Sequence, residues 1–260
     1  ALTVPAIPPN FNATGGYTQV SLTWNSVAGA DNYTIYWDNS SNVTSSSSSI
    51  NITGKDNTSY THTGRDNATT YYYRTAAVNS SGTGSLSSEI TALTHPAKVE
   101  NFIAIGGRDN VTLSWNPVDG ADNYTIYWGT NFWVTGLPNQ IDITGKDNTT
   151  FIHNCRDSII PSDCVLNGLD NSTTYYYSLH ASNASGSSDK HHISPLNALT
   201  RPATPENFSA TGGNTQVSLS WNAVTGAESY TIYSGIREIS SSTDNNNVTT
   251  LAGTVGSTGD

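Results

Sequence analysis

The sequence predicts an all-β chain of tandem β-sandwiches, and three observations support that prediction. Asn, Ser and Thr supply more than a third of the 260 residues, while only 12% are charged and 35% are hydrophobic. Apolar and polar residues alternate with a period of two, as half-buried strands require. The chain also repeats itself along its length, which is typical of a modular architecture. Because residues that favour helices are scarce and Met is absent, an all-helical fold is excluded.

The repeats define three domains. Residues 10–37, 101–128 and 207–234 each run from Asn-Phe through a Gly-Gly turn and Leu-x-Trp to Tyr-Thr-Ile-Tyr. The second half of the pattern, which contains Thr-Tyr-Tyr-Tyr, occurs only after the first two of these segments. We therefore expect repeat 1 at 1–95, repeat 2 at 96–201 with an insertion, and a partial repeat 3 at 202–260.

Within repeat 1 the strands follow from the alternation, with Gly-rich turns between them. The inward positions are Val20, Leu22 and Trp24, then Tyr33, Ile35 and Trp37, then Tyr71, Tyr73, Thr75 and Ala77. The outward positions include Thr34, Tyr36 and Ala76. Several short alternating strands in a segment of this length predict a β-sandwich.

The order of these motifs resembles the fibronectin type III domain, particularly the tandem copies in secreted and surface proteins of bacteria. Val-x-Leu-x-Trp, Tyr-x-Ile-x-Trp, Thr-x-Tyr and Ala-x-Asn follow one another as in that family, and the resemblance covers nearly the whole chain. It implies immunoglobulin-like sandwiches with core tryptophans and tyrosine corners. By that resemblance the core residues are Trp24, Trp115 and Trp221, and the corners are Tyr71 and Tyr175. Prolines soon after each last strand favour short, stiff connections and an extended rod.

Composition narrows the partners and the location. The net charge of −10 argues against nucleic acid, which needs a basic surface. No apolar run approaches the roughly 20 residues that span a bilayer, so we expect no membrane span. The sequence begins at Ala1 without a leader, so we expect a mature form or a fragment of an extracellular or cell-surface protein.

The sequence contains no motif for catalysis or for metal or cofactor binding, so we expect no catalytic residue, no metal site and no cofactor. None of the common nucleophile, phosphate-loop or dinucleotide motifs occurs, and nine of the 20 acidic residues are Asp followed by Asn, a pair that favours turns. We expect the histidines to be solvated loop residues; they are His62, His95, His153, His180, His191 and His192. The chain is therefore predicted not to be an enzyme.

Repeat 2 carries an insertion with the only two cysteines, Cys155 and Cys164. In an exported protein a disulfide that clamps this loop is the expected pairing. A zinc site is the competing interpretation, but no His pair at suitable spacing accompanies the cysteines. An aromatic pair unique to this repeat, Phe132 and Trp133, could form a contact surface for a sugar or a neighbouring subunit, or fill the core.

Asn-x-Ser/Thr sequons number 15, about twice the count expected from composition, and mark candidate N-glycans. They are Asn12, Asn32, Asn39, Asn42, Asn51, Asn57, Asn67, Asn79, Asn110, Asn123, Asn148, Asn171, Asn183, Asn207 and Asn247. The alternative is that Asn and Thr simply suit turns and strand surfaces. None of the 15 has an acidic residue two positions earlier, so a bacterial extended signal is absent.

These observations predict a non-enzymatic extracellular structural protein, a glycosylated subunit of a cell-surface filament or appendage, or an adhesive stalk. Repeat 3 stops before its Thr-Tyr-Tyr-Tyr segment. Either the sequence is simply truncated there, or subunits associate by strand complementation at repeat 3. The alternative function is a set of spacer modules in a larger secreted polysaccharide-degrading enzyme. A carbohydrate-binding module is a third hypothesis, which depends on Phe132 and Trp133 alone.

Overall fold

The computed structural model describes residues 3–132, 139–154, 169–188 and 195–234, and the backbone alone of 251–256. Its secondary structure in these ranges is entirely β, and the strands pair antiparallel. The all-β prediction is confirmed. The chain divides into two compact units. The first unit comprises Ala1–Ile105, Thr112–Ile152 and Tyr175–Asn197, and the second comprises Gly106–Val111, His153–Thr174 and Ala198–Asp260.

Repeat 1, in the first unit, is a β-sandwich. Its strands are β1 (Asn12–Gly16), β2 (Gln19–Thr23), β3 (Asn32–Asp38), β4 (Ser48–Thr53), β5 (Ser59–Thr63), β6 (Thr70–Asn79), β7 (Gly82–Thr83) and β8 (Ile90–Leu93). One sheet has the order β1-β2-β5, and the other has the order β4-β3-β6-β7, with β8 also paired to β6. Inward residues from both sheets join one hydrophobic cluster, which makes the two sheets the layers of a single sandwich.

The core of repeat 1 consists of the inward positions of the alternating runs. Val20 and Leu22 on β2 and Tyr33 and Ile35 on β3 are all 0% exposed. Trp24 packs edge-on against Tyr33, with ring centroids 5.4 Å apart. Burying aliphatic and aromatic side chains of this size contributes about 1.5–3 kcal/mol each. The inward assignments of these residues are confirmed.

The outer face of the second sheet is covered where the alternation alone suggests exposure. Tyr36 and Ala76 lie on that face, yet they are buried in a small cluster with Val43. Val43 belongs to the Ser-rich loop before β4, and its N–H donates to Glu89 Oε2 at 2.7 Å. The loop therefore folds back onto the sheet and gives it a second, smaller apolar contact.

A tyrosine on the third strand hydrogen-bonds to the preceding turn in each repeat, and it is fully buried in repeats 1 and 2. The Tyr33 hydroxyl accepts from the Val27 N–H and donates to the Lys55 carbonyl, both at 3.0 Å. Tyr124 and Tyr230 make the corresponding bond to the turn before their own strand. The Tyr71 hydroxyl accepts from the Asp66 N–H at 3.0 Å, which is the hydrogen bond of a tyrosine corner.

Tyr33→Phe is expected to lower the free energy of unfolding of repeat 1 by about 1–2 kcal/mol, because the Val27 N–H and the Lys55 carbonyl lose their shared partner. Urea unfolding followed by tryptophan fluorescence measures the loss. The control is Tyr72→Phe, since Tyr72 is partly exposed and its hydroxyl makes no hydrogen bond within the described part of the chain. Equal effects of the two substitutions would contradict the assigned role of Tyr33.

Repeat 2 has the same arrangement of strands. They are β9 (Ile103–Gly106), β10 (Val111–Ser114), β11 (Asn123–Gly129), β12 (Gln140–Thr144), β13 (Thr150–His153), β14 (Thr174–Asn183), β15 (Gly186–Ser187) and β16 (Leu196–Leu199). One sheet runs β13-β10-β9 and the other β12-β11-β14-β15, with β16 paired to β14. Leu113, Tyr124, Ile126 and Tyr177 are fully or almost fully buried, as their counterparts are in repeat 1.

Repeat 3, in the second unit, contains fewer strands in the described ranges. They are β17 (Ser209–Gly213), β18 (Gln216–Ser220), β19 (Ser229–Ser234) and β20 (Leu251–Gly256). β17 pairs with β18, and β19 pairs with β20 so that Tyr230 faces Val255, as Tyr33 faces Ile52 between β3 and β4. The four strands therefore correspond to β1–β4, and no counterpart of β5–β8 lies among the described residues of repeat 3.

Candidate functional site: the repeat junctions

Neither a metal centre nor a membrane helix is found in the described ranges. Across these ranges, no three His, Cys, Asp or Glu side chains come close enough together to hold a metal ion. No helix there has the length and apolar character needed to cross a membrane. Hydrogen bonds around the linkers, by contrast, recur with the same geometry at more than one repeat boundary.

Three histidines are core residues, so the prediction that they are solvated was wrong for them. His62, His153 and His180 are 6%, 1% and 7% exposed. The His62 ring packs edge-on against Trp37, with centroids 4.6 Å apart, and its Nδ1 lies 3.2 Å from the Tyr73 hydroxyl. A histidine whose partners are aromatic rings is buried as a neutral side chain rather than as a metal ligand or a general base.

Burial sets the protonation of two of these histidines. Desolvation lowers the pKa of His62 to about 4, and the positive charge of Arg65 lowers it further in the same direction. The Arg65 guanidinium lies 4.4 Å from the centre of the Trp37 ring, at the edge of this cluster. Desolvation alone lowers the pKa of His153 to about 4. Both side chains are therefore uncharged at neutral pH.

The linker between repeats 1 and 2 begins inside the fold of repeat 1. Thr94 is 0% exposed, and its N–H donates to the Thr69 carbonyl at 3.0 Å. Its Oγ1 accepts from the Thr69 N–H at 2.9 Å and donates to the Asp66 carbonyl at 2.7 Å. A buried threonine is stable here because its polar atoms are all paired.

Asn67 hydrogen-bonds to the next two residues of the linker. Its Nδ2 donates to the carbonyls of His95 and Pro96 at 3.1 and 3.4 Å. The next residue, Ala68, donates its N–H to the same His95 carbonyl at 2.9 Å. The His95 N–H in turn donates to the Gly16 carbonyl at 3.0 Å. The linker is thus bonded from both sides instead of passing freely through solvent.

The linker between repeats 2 and 3, within the second unit, is held by the corresponding residues. Thr200 is 1% exposed and bonds to the backbone of Thr173 and Asp170 as Thr94 bonds to Thr69 and Asp66. Asn171 Nδ2 donates to the carbonyls of Arg201 and Arg108. The same chemistry at both linkers indicates that the junction belongs to the repeating design.

A second asparagine bonds the linker between repeats 1 and 2 from the downstream side, and its counterpart in repeat 1 bonds the segment before that repeat. Asn183, at the end of β14, donates from Nδ2 to the Thr94 carbonyl at 3.0 Å. Asn79, at the end of β6, donates to the Thr3 carbonyl at 2.8 Å and to the Gly29 carbonyl at 3.1 Å. Thr3 and Thr94 open the same Thr-x-Pro-Ala motif, so the segment before repeat 1 is bonded like a linker.

Small residues allow the turns of successive repeats to touch. A Cβ added to Gly120 would overlap the methyl group of Ala68, and one added to Gly226 would overlap the side chain of Ser172. Both glycines have positive φ angles, +67° and +75°. The Ser172 Oγ donates to the Thr225 carbonyl at 2.7 Å, which links repeats 2 and 3 directly.

The sequon asparagines fall into different environments. Asn12, Asn39 and Asn207 are exposed and make no side-chain hydrogen bond within the described ranges. Asn57 and Asn148 are exposed but bond through Nδ2 to the carbonyls of Thr53 and Thr144 in their own turns. Four others use Nδ2 at the edges of the repeats. Asn67, Asn171 and Asn183 donate to the linkers, and Asn79 donates to the segment before repeat 1. Asn247 lies outside the described residues.

Of the remaining candidate residues, the structure describes only Phe132. Phe132 is 45% exposed and packs edge-on against Tyr176, with centroids 5.9 Å apart. Its sequence neighbour Trp133 lies outside the described residues, and so do Cys155 and Cys164. The contact surface, the disulfide and the competing zinc interpretation therefore stay predictions.

Repeat 3 presents the face that its counterparts bury. Val217 and Leu219 on β18 are 63% and 37% exposed, whereas Val20 and Leu22 on β2 are both 0% exposed. An open apolar groove of about 540 Å³ lies here, and its walls include Phe208, Trp221, Tyr230 and Ile232. This face is therefore an exposed apolar surface where repeats 1 and 2 have a buried core.

Sequence reasoning missed the junction residues because each looks like an ordinary turn residue. Asn and Thr favour turns in general, so their presence in Asp-Asn turns carried no signal of its own. The signal that could have found them is repetition, since Thr-x-Pro-Ala occurs at 3–6, 94–97 and 200–203 and always lies at the edge of a repeat.

The chain is similar to several known proteins, although no family model matches it. It is 40% identical over 128 residues to a Kelch domain-containing protein of Saccharolobus solfataricus, a match that covers 47% of this chain. The chain spans only 17% of the length of that relative.

Two similar solved structures contain fibronectin type III domains. The chicken CNTN1 FN1-FN3 domains are 16% identical, with a TM-score of 0.40 over 76% of this chain and 69% of that one. A two-domain fibronectin type III segment of chicken tenascin is 18% identical, with a TM-score of 0.37 over 75% of this chain and 99% of that one. The chain's own strand order and repeated motifs show two β-sandwich repeats and part of a third, and the order of those motifs resembles that of fibronectin type III domains.

Proposed function

We propose that this chain is a non-enzymatic, extracellular structural segment, as a glycosylated subunit of a cell-surface filament or appendage, or of an adhesive stalk. The observation that carries the proposal is the construction of the junctions. Thr94 and Asn67 hold one linker and Thr200 and Asn171 hold the next, by the same set of hydrogen bonds. A protein whose linkers are part of its folded structure transmits position and force from repeat to repeat, which is what a filament or stalk requires.

The surface chemistry agrees with an extracellular setting. Only 12% of residues are charged, with a net charge of −10, and Asn, Ser and Thr make up more than a third of the chain. Such a surface is hydrated without offering a basic patch to nucleic acid or anionic lipid. Exposed sequons such as Asn12, Asn39 and Asn207 offer attachment points for sugar.

Self-association is part of the proposal, with a second copy of this chain as the partner of repeat 3. β18 and β19 carry Val217, Leu219, Tyr230 and Ile232 where β2 and β3 carry identical residues. In repeat 1 the partners of those two strands are β5 and β6. Strands of that type from another copy would satisfy the edges of β18 and β19 and cover the exposed face by strand complementation.

A synthetic peptide with the sequence of residues 57–80, which includes β5 and β6, tests this mode of association. We expect it to bind the full chain and to slow hydrogen exchange at the amides of Gln216–Ser220. The control peptide replaces the inward Tyr60, His62, Tyr71 and Tyr73 with Ser and should not bind. Equal behaviour of the two peptides, together with a chain that stays monomeric at high concentration, would contradict strand complementation.

Electron microscopy of native material, released gently from its source, tests the proposed assembly itself. Regular filaments with an axial repeat of two to three domain lengths are the expected result. Dispersed single molecules would rule out the filament and leave the chain as part of a larger secreted protein.

The second candidate function is that of spacer modules within a larger secreted polysaccharide-degrading enzyme, and one observation supports its coarser part, membership of a larger protein. The similar Kelch domain-containing protein is far longer than the matched segment, which makes up 17% of it. Repeats of this kind thus occur inside large proteins. The complete reading frame separates the candidates, because a hydrolase domain would favour the spacer, whereas further repeats or an anchor would favour the filament.

A further inference from the structure

The side-chain amides of the sequons differ in how many of their protons are already used. N-glycosylation forms a C–N bond between Nδ2 and C1 of a sugar. The lipid-diphosphate carrier leaves as the C–O bond breaks, and the amide gives up one of its two protons. A glycosylated asparagine therefore keeps a single N–H. An asparagine that needs both protons for the fold cannot carry a sugar without losing a hydrogen bond.

Three sequon asparagines donate from Nδ2 to two carbonyls each. Asn67 donates to His95 and Pro96, and Asn171 donates to Arg201 and Arg108, in each case to linker or neighbouring backbone carbonyls. Asn79 donates to the carbonyls of Thr3 and Gly29 and is only 7% exposed. A sugar on this last nitrogen would also have to displace the segment that packs over it.

In other sequons the Nδ2 atom donates no hydrogen bond within the described structure. Asn12 and Asn39 in repeat 1 and Asn207 in repeat 3 are exposed and use neither proton in the described structure. Asn123 in repeat 2 is partly exposed and likewise makes no side-chain hydrogen bond there. Asn51 accepts a hydrogen bond through Oδ1 from Thr34, which leaves its Nδ2 available.

We propose that two sets of these sequons have different functions. Asn67, Asn79 and Asn171 are junction locks that stay unmodified in the folded protein, and the sugars lie on the open set, which is Asn12, Asn39, Asn51, Asn123 and Asn207. Only the second set, the open sequons, depends on the proposed glycosylation.

Occupancy is measured by peptide mapping of the native, glycosylated chain by mass spectrometry. We expect sugar at members of the open set and none at Asn67, Asn79 or Asn171. Sugar at any of these three positions in folded protein would overturn the division. A complete absence of sugar would remove the open set and the glycosylation in the proposed function, but it would leave the locks to be decided by the second measurement.

The second measurement uses unglycosylated full-length chain and a matched pair of substitutions. Asn67→Asp keeps the shape of the side chain but removes both donors, and Asn39→Asp makes the same change at an open sequon of the same repeat. Asn67→Asp is expected to lower the Tm of repeat 1 by about 5 °C and to speed hydrogen exchange at the His95 N–H, while Asn39→Asp leaves both unchanged. Equal effects of the two variants would overturn the lock.

Discussion

Alanine at Gly15 is expected to destabilise repeat 1 severely, whereas alanine at the corresponding Gly212 of repeat 3 is expected to have little effect. A Cβ on Gly15 would overlap the backbone carbonyl of Leu93, where β1 passes β8. A backbone atom held between two strands cannot move aside as a flexible side chain could. Gly212 has no heavy atom within 4 Å of its Cβ position, so the same change is tolerated there.

The expected loss for Gly15→Ala is about 3 kcal/mol, typical of a buried overlap that forces the backbone to shift. This corresponds to a fall in Tm of roughly 10–20 °C for a domain of this size. Thermal unfolding of the full chain measures it. Gly106→Ala in repeat 2 should behave like Gly15→Ala, because its Cβ would overlap the Leu199 carbonyl. If Gly212→Ala were as harmful as the other two, the close approach would not be the cause.

For these glycines the sequence predicts the turn, whereas the structure shows which of them lies against a neighbouring strand. The sequence places Gly15, Gly106 and Gly212 at one position of one motif and predicts the same turn for all three. It does not say which of them has a neighbouring strand against it. That depends on β8 and β16, which lie far along the chain from the motif.

Alternation predicted the core well because a strand side chain has only two faces to choose between. Val20, Leu22, Tyr33 and Ile35 are buried as expected. The same rule could not predict the burial of Tyr36, since it names a face without saying what covers it. The cover comes from the loop that carries Val43, whose fold-back is a tertiary event without a periodic signal.

The candidate site was less predictable for a related reason. Thr94, Asn67 and Asn79 are polar residues in turn-like contexts, and a polar side chain at a turn is usually solvated. Each is buried or partly buried here because a backbone carbonyl needs a hydrogen-bond partner once it is removed from water. His62 was missed similarly, because its neighbours in sequence are polar while its neighbours in space are aromatic.

The buried histidines lead to the second large prediction, a loss of stability in acid between about pH 6.5 and pH 4. His62 and His153 have pKa values of about 4 in the folded chain, below the value of about 6.5 expected when unfolded. As the pH falls through this window, the unfolded state binds protons that the folded state does not, so the free energy of unfolding decreases. Below pH 4 both states are protonated and the contribution levels off.

Each histidine accounts for a loss of about 3 kcal/mol across this window, since one pKa unit corresponds to about 1.4 kcal/mol. Urea unfolding at several pH values between 3.5 and 7.5 measures the loss. His62→Phe places an apolar ring beside Trp37 and is expected to flatten the pH dependence of repeat 1, at the cost of the partner of the Tyr73 hydroxyl. The double variant, which adds His153→Phe, should flatten the pH dependence of the stability of both repeats.

The control for this experiment is His95→Gln, which removes a partly exposed histidine while leaving its linker backbone in place. It should keep the full acid loss. Retention of that loss in the double phenylalanine variant would instead assign the acid sensitivity to carboxylates. Because the positive charge of Arg65 also disfavours protonated His62, Arg65→Gln should raise the pKa of His62 and move the midpoint of the loss in repeat 1 to a higher pH. That shift would separate desolvation from charge as causes of the low pKa, with desolvation expected to remain the larger.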